Sequence, residues 1–174
     1  MYKKNTPFKQ DRSEFIKIFG GIYENSSWIA EEVYTKGIKP EYNNAEGLHG
    51  AMKRIIEAAT KNQKLALLCA HPDLAGKLAI SGNLTIASVA EQSSADLSNC
   101  TPAEFDLFES LNTRYNKKFG FPFILAVRGH QRAEILEIFK NRINNDIKIE
   151  FNEALAQVHR IALFRLKEIE QEIK

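Results

Sequence analysis

Leu48, Met52, Ile55, Ile56 and Ala59 recur at i, i+4, i+7, i+8 and i+11, a spacing that lies on one side of a chain only if the chain is helical. The same period governs most of the sequence. Phe15, Ile16 and Phe19 predict a first helix, which Asp11 or Ser13 can cap and Gly20-Gly21 stops. Ser26-Ser27 is expected to cap a second, carrying Trp28, Ile29 and Val33 and ended by Gly37 and Pro40. Asn43 or Asn44 opens the Leu48–Ala59 helix. Thr101-Pro102-Ala103-Glu104 combines a capping threonine, proline at the first helical position and a glutamate that completes a capping box. The helix it starts carries Phe105, Phe108, Leu111, Asn112 and Tyr115 and should end near Gly120. A further helix holds Ile135, Leu136, Ile138 and Phe139. A long terminal one holds Phe151, Leu155, Val158, Ile161, Ala162, Phe164, Leu166 and Ile169. Ile80–Leu84, with Gly82-Asn83, reads as a loop. Only Phe121–Val127 is β-like; with Pro122 inside it and no partner strand evident, it reads as an extended buried segment. The expected fold is all-α: a single compact domain over residues 1–174, of about seven to nine helices, with no sheet.

Composition bounds the function. With 174 residues, 44% hydrophobic and 26% charged, the chain is globular and large enough for a substantial core. A net charge of +2 without a basic run argues against nucleic acid. Its apolar runs are too short to span a membrane. Met1-Tyr2-Lys3-Lys4-Asn5 is not followed by the apolar core of a secretory signal, and Gln171-Glu172-Ile173-Lys174 carries no peroxisomal tripeptide. Cys69 and Cys100 form no metal-spaced pair, and Cys69, in an apolar run, reads as a reduced thiol, so the expected compartment is the cytoplasm.

The stretch with the most chemical promise is Leu65-Ala66-Leu67-Leu68-Cys69-Ala70-His71-Pro72. Its apolar run reads as a buried helical segment, and proline disfavours the α conformation in the residue before it. His71 is therefore expected where a helix ends, held by packing yet able to face a cleft. His49, His71, His130 and His159 are scattered, without an i, i+4 pair or a carboxylate motif for a metal. No glycine-rich phosphate loop and no Gly-x-Ser-x-Gly elbow occurs. What is left open is a cofactor-free acid–base site. Taken alone, Ser88-x-x-Glu91 reads as a capping box that holds Glu91 near a helix N-terminus, Phe119–Phe123 as core, and Arg160 and Arg165 as solvated.

Taken together the pieces resemble a family. His71-Pro72-Asp73-Leu74-Ala75-Gly76-Lys77, Ser88-x-x-Glu91-Gln92, Asn112-x-x-Tyr115 and Lys118-Phe119-Gly120-Phe121-Pro122-Phe123-Ile124 are similar, in order and spacing, to the OHCU decarboxylases of urate degradation. OHCU is 2-oxo-4-hydroxy-4-carboxy-5-ureidoimidazoline. Glu24-Asn25-Ser26-Ser27-Trp28 and His159-Arg160-Ile161-Ala162-Leu163-Phe164-Arg165-Leu166 extend the likeness over nearly the whole chain. One departure is Ala95-Asp96-Leu97, where that family commonly has Ala-Gly-Leu; it bears on substrate fit more than on reaction type.

The resemblance implies an all-helical homodimer that needs neither metal nor organic cofactor and converts OHCU, its small-molecule substrate, to (S)-allantoin. It implies His71 as the catalytic proton donor and acceptor and Glu91 as its acidic partner. Pro72, Ser88 and Gln92 match substrate contacts. Phe123, Ile124, Leu125, Ala126 and Val127 match a stretch whose backbone holds the heterocycle. Arg165 is the expected substrate-binding arginine, with Arg160 its rival. The competing readings are a decarboxylase or lyase acting on a related ureido or imidazoline acid, and a non-catalytic helical binding module. A binding module should show a broad apolar patch, and an enzyme a small cleft holding His71 and Glu91.

Overall fold

The computed structural model describes residues 6–75, 85–95 and 97–171, apart from the side chains of Ser94 and Ser98. Among these residues are eight α-helices, three single 3-10 turns and no strand. The helices are α1 (Arg12–Phe19), α2 (Trp28–Thr35), α3 (Ala45–Ala58), α4 (Lys61–Cys69), α5 (Ile86–Ser94), α6 (Pro102–Phe119), α7 (Arg132–Arg142) and α8 (Ile147–Gln171). The all-α expectation holds. The loop expected at Ile80–Leu84 lies outside the described residues, as do Gly76, Lys77 and Asp96. The chain forms two compact units: Met1–Ala70 with Val158–Lys174, and His71–Gln157. Both include part of α8.

In the first unit, the apolar period decides what is buried. Phe15 and Phe19 of α1, Ile29 and Val33 of α2, and Leu48, Met52, Ile55 and Ile56 of α3 are all in the core. Asp11 caps α1, accepting from the Glu14 N–H at 2.9 Å. Asn44 caps α3, accepting from the Gly47 N–H at 2.7 Å. Ser27 occupies the N-cap position of α2 but makes no cap bond, because its backbone is already helical there. Its hydroxyl instead donates to the Glu31 carboxylate at 3.1 Å. The apolar run of α4 is less buried than its composition predicts: only Leu67 and Leu68 are core, and Cys69 is exposed.

Gly47 has no room for a side chain. A Cβ there would lie 1.8 Å from the Glu41 carbonyl oxygen of the turn Pro40–Tyr42. Gly47→Ala is expected to lower stability by about 1–3 kcal/mol, because backbone rather than a flexible side chain must move. Urea unfolding reads this, and an unchanged midpoint would contradict it.

A half-buried pair of histidines also lies in this unit. The His49 Nε2–H donates to the His159 carbonyl at 2.9 Å, and His159 Nδ1 meets the Tyr23 hydroxyl at 2.9 Å. Burial keeps the Tyr23 phenol protonated, so it donates to a neutral imidazole. Burial, with His49, Lys53 and Lys64 nearby, pushes His159 down to about 4 and lowers His49 as well. Between the unfolded value near 6.5 and about 4, the unfolded chain binds the proton that the folded ring refuses. Stability is therefore expected to be full above neutrality and to fall through that window by about 2 kcal/mol, allowing for partial screening. Thermal unfolding from pH 7.5 to 4.5 tests this, and His159→Gln should flatten the acid limb.

In the second unit, α5 is capped by Thr85, whose Oγ1 accepts from the Ser88 N–H at 3.3 Å. This corrects the expected Ser88–Glu91 capping box. Ser88 is the third residue of the helix, and Glu91 lies beyond its first turn, where the helix terminus no longer holds a carboxylate. The Thr101/Glu104 capping box forms as expected, and α6 ends at Gly120 with φ +77, a left-handed conformation that suits glycine. Phe108, Tyr115, Phe121, Phe123 and Phe139 fill the core. The Phe123 and Phe139 rings stack at 3.8 Å, 10° from parallel. Phe121–Val127 is extended and buried without being a strand, as its sequence indicates.

Candidate active site

The site is built in the second unit, at a turn that begins where α4 ends. Pro72 breaks the helix and leaves His71 only 9% exposed. Four side-chain hydrogen bonds then fix the next three residues. The Asn116 amide donates to Asp73 Oδ1 at 3.0 Å, and the Asn112 amide donates to the Leu74 carbonyl at 2.9 Å. Gln92 accepts from the Ala75 N–H at 3.1 Å and donates to the Asp73 carbonyl at 3.4 Å. Ala75 has φ +48, which an alanine adopts only at a cost of about 1–2 kcal/mol. Such strain persists where surrounding contacts over-determine it, commonly beside functional groups.

The Gln92 contacts orient α5. Ser88, Glu91 and Gln92 stand at i, i+3 and i+4, so they share one face, and Gln92 turns that face toward the residues that follow His71. Ser88 and Gln92 are buried and Glu91 is half-buried. The Thr85 hydroxyl donates to Ser88 Oγ at 3.1 Å. Gln92 is thus committed to the turn with one amide hydrogen and one lone pair, and among the described residues the other of each has no partner.

The Phe123–Val127 backbone is held separately. Arg142 donates to the Ile124 carbonyl at 2.8 Å, and the Ala126 N–H donates to Gln157 Oε1 at 3.0 Å. The Val127 carbonyl accepts from the His130 N–H at 3.0 Å. Among the described residues nothing pairs with the Ile124 or Leu125 N–H or the Leu125 carbonyl, although both residues are over nine-tenths buried. Buried backbone groups are seldom left so, which makes this edge suited to a polar ligand.

Arg165 lies in the first unit. It is buried, against the solvated reading of its sequence position, and pairs with Glu24 Oε2 at 2.9 Å. It also reaches the Gly21 and Ile22 carbonyls, each at 3.4 Å. Its rival Arg160 is exposed, its guanidinium 5.8 Å from the Phe164 ring centre.

Several of the residues that build the site carried no role in the sequence reading. Asn112 and Asn116 fall on the α6 face that meets the turn, and their i, i+4 spacing was the available signal. Asn112 Oδ1 is buried without a partner among the described residues, an acceptor open to an N–H group. Arg142, Glu150 and Gln157 gave no signal, being ordinary polar residues on amphipathic helices.

Comparison with known proteins agrees with this architecture. The OHCU decarboxylase family model matches residues 9–167. A 2-oxo-4-hydroxy-4-carboxy-5-ureidoimidazoline decarboxylase of Haloferax volcanii is 38% identical over 158 residues, 91% of this chain and 90% of that protein. A uric acid degradation bifunctional protein of a Bacillus species is 41% identical over 92% of this chain; the chain spans 30% of its length. Among solved structures, an (S)-allantoin synthase superposes with a TM-score of 0.72 at 34% identity, covering 94% of this chain and 52% of that one. An OHCU decarboxylase crystallised in the presence of (S)-allantoin shares the fold, with a TM-score of 0.67 at 23% identity over 85% of this chain and 94% of that one. A helical fold, a histidine turn braced by α5 and α6, and one family model running through both units give a single answer: the chain belongs to the OHCU decarboxylase family.

Proposed function

We propose that this chain, its two units working as one domain, decarboxylates OHCU to (S)-allantoin without a cofactor. The observation that carries the reading is the His71 turn: a buried histidine opening a turn that is strained at Ala75 and braced by Gln92, Asn112 and Asn116. A braced acid–base group is what this substrate needs, because OHCU supplies its own electron sink. Its carboxylate sits on C4, beside the C5=N carbon of the ring. As the C4–carboxylate bond breaks, its electron pair forms C4=C5, and the C=N pair moves to nitrogen, which takes a proton. The C4 hydroxyl then gives up its proton to become a carbonyl, and C5 gains one. The sum is CO2 released and one proton taken up. The protein's part is orientation, charge stabilisation and proton transfer.

In this proposal His71 carries the protons, since an imidazole has one nitrogen that can donate and one that can accept. Glu91 is its acidic partner, on the α5 face turned toward the histidine's own turn. Pro72 shapes that turn, while Ser88 and the uncommitted amide groups of Gln92 contact substrate. The buried Asn112 oxygen offers an acceptor for a ureido or ring N–H. The Phe123–Val127 edge offers backbone donors and acceptors to the heterocycle. Arg165 is assigned the substrate's anion on family likeness, and its restrained planar fork favours it over the exposed Arg160.

The test is direct. Urate is oxidised and hydrolysed by separate enzymes to form OHCU in situ, and CO2 release is timed with and without this protein. Acceleration supports the reading. Spontaneous decay in the presence of folded protein overturns it and favours a related acid or a binding role. The proposal extends to a homodimer in the cytoplasm. Light scattering should then give twice the 19.8 kDa chain mass. Among the described residues no helix is long and apolar enough to cross a membrane.

A further inference from the structure

We infer that Arg142 is a positioning residue for the reaction: locked by Glu150 and Tyr115, it fixes and polarises the Ile124–Leu125 peptide so that the Leu125 N–H becomes a strong donor to a carbonyl or carboxylate oxygen of the substrate. The inference rests on the proposed substrate-holding role of Phe123–Val127.

Glu150 is fully buried and both of its carboxylate oxygens accept hydrogen bonds. One oxygen accepts from Arg142 Nε at 2.9 Å, from an Arg142 terminal nitrogen at 2.5 Å and from the Tyr115 hydroxyl. The other accepts from the Asn145 amide at 2.7 Å. Burial and the adjoining carboxylate hold the Tyr115 phenol protonated, so it remains a donor. An ion pair this deep does little for stability compared with apolar residues of the same volume, because desolvation offsets the attraction. What it supplies is geometry. With two nitrogens bound to Glu150 and its plane over the Phe123 ring at 4.6 Å, the guanidinium can aim its remaining nitrogen in one direction only. That direction is the Ile124 carbonyl, 2.8 Å away.

A cation on a peptide oxygen draws electron density through the amide and strengthens its N–H as a donor, more so in a low-dielectric interior. The N–H of this peptide belongs to Leu125, which is buried and has no partner among the described residues. Arg142 therefore acts on the substrate through the backbone, without touching it.

The test uses protein labelled with 15N-leucine, with (S)-allantoin as the binding probe. In the parent, the Leu125 amide resonance should shift on titration. Arg142→Lys keeps the charge but loses the fork. It should move the Leu125 resonance of the free protein and raise KM for OHCU about tenfold, with kcat changed by less than about threefold. Tyr115→Phe keeps the ring and loosens Glu150, so KM should rise about threefold. All are measured well below each variant's unfolding temperature. A folded Arg142→Lys with parental KM and an unmoved Leu125 resonance overturns the inference; a lowered unfolding temperature alone is then the mark of a structural ion pair. If Arg142→Lys does not fold, Tyr115→Phe decides on the same readouts. A parent that neither turns over OHCU nor binds allantoin sinks the functional reading instead. The free-protein Leu125 shift still reports whether Arg142 polarises that peptide.

Discussion

Replacing His71 with alanine is expected to lower kcat on OHCU about a thousandfold while leaving the fold intact. The size follows from what a positioned general acid–base contributes, about two to four orders of magnitude. The confinement to kcat follows from the turn. Its backbone is tied by Asn112 and Gln92 and its Asp73 side chain by Asn116, and none of these bonds is made to the imidazole. His71→Asn should behave similarly, since it restores bulk and polarity but transfers no proton near neutral pH. The checks are steady-state kinetics beside thermal unfolding of both variants. A folded alanine variant with parental turnover would remove His71 from the mechanism.

Glu150→Ala is expected to destabilise the protein by about 3–5 kcal/mol, the usual consequence of stranding a buried charge. The substitution leaves the Arg142 guanidinium, the Tyr115 hydroxyl and the Asn145 amide without their common acceptor. The double variant Arg142→Met/Glu150→Met should lose much less, because it removes both charges and restores apolar volume. Urea unfolding of the two single methionine variants and the double closes a thermodynamic cycle. Additive losses would show that the two side chains are not coupled. By the polarisation argument the double variant should nonetheless bind (S)-allantoin poorly, which separates the stability of this cluster from its effect on the site.

The parts of the fold legible in the sequence were those fixed by local physics. The α3 stripe, the Thr101/Glu104 box, the end of α4 at His71-Pro72 and the buried extended run at Phe121–Val127 each follow from periodicity, capping or proline geometry. Where local signals were degenerate, the reading slipped. Ser88-x-x-Glu91 fits a capping box, but Thr85 lies three residues earlier and its hydroxyl takes the N-terminal amide first. Ser27 has the right composition for a cap and the wrong backbone for one. The site was legible only in part for a different reason. His71, Ser88 and Glu91 stood out through their order and spacing, whereas Arg142 and Glu150 look like any solvated pair on amphipathic helices. Glu150 accepts from Tyr115, 35 residues away in sequence, and no local pattern encodes a contact over that distance. Arg165 escaped local reading similarly, its carboxylate partner Glu24 lying at the other end of the chain.

The measurement that bears most directly on the central claim is the handedness of the allantoin formed. If His71, fixed by its braced turn, delivers the last proton to one face of C5, circular dichroism of the coupled reaction should show a single enantiomer, (S)-allantoin, accumulating faster than OHCU decays alone. His71→Ala should abolish that signal. Racemic allantoin appearing at the spontaneous rate from well-folded protein would contradict the account.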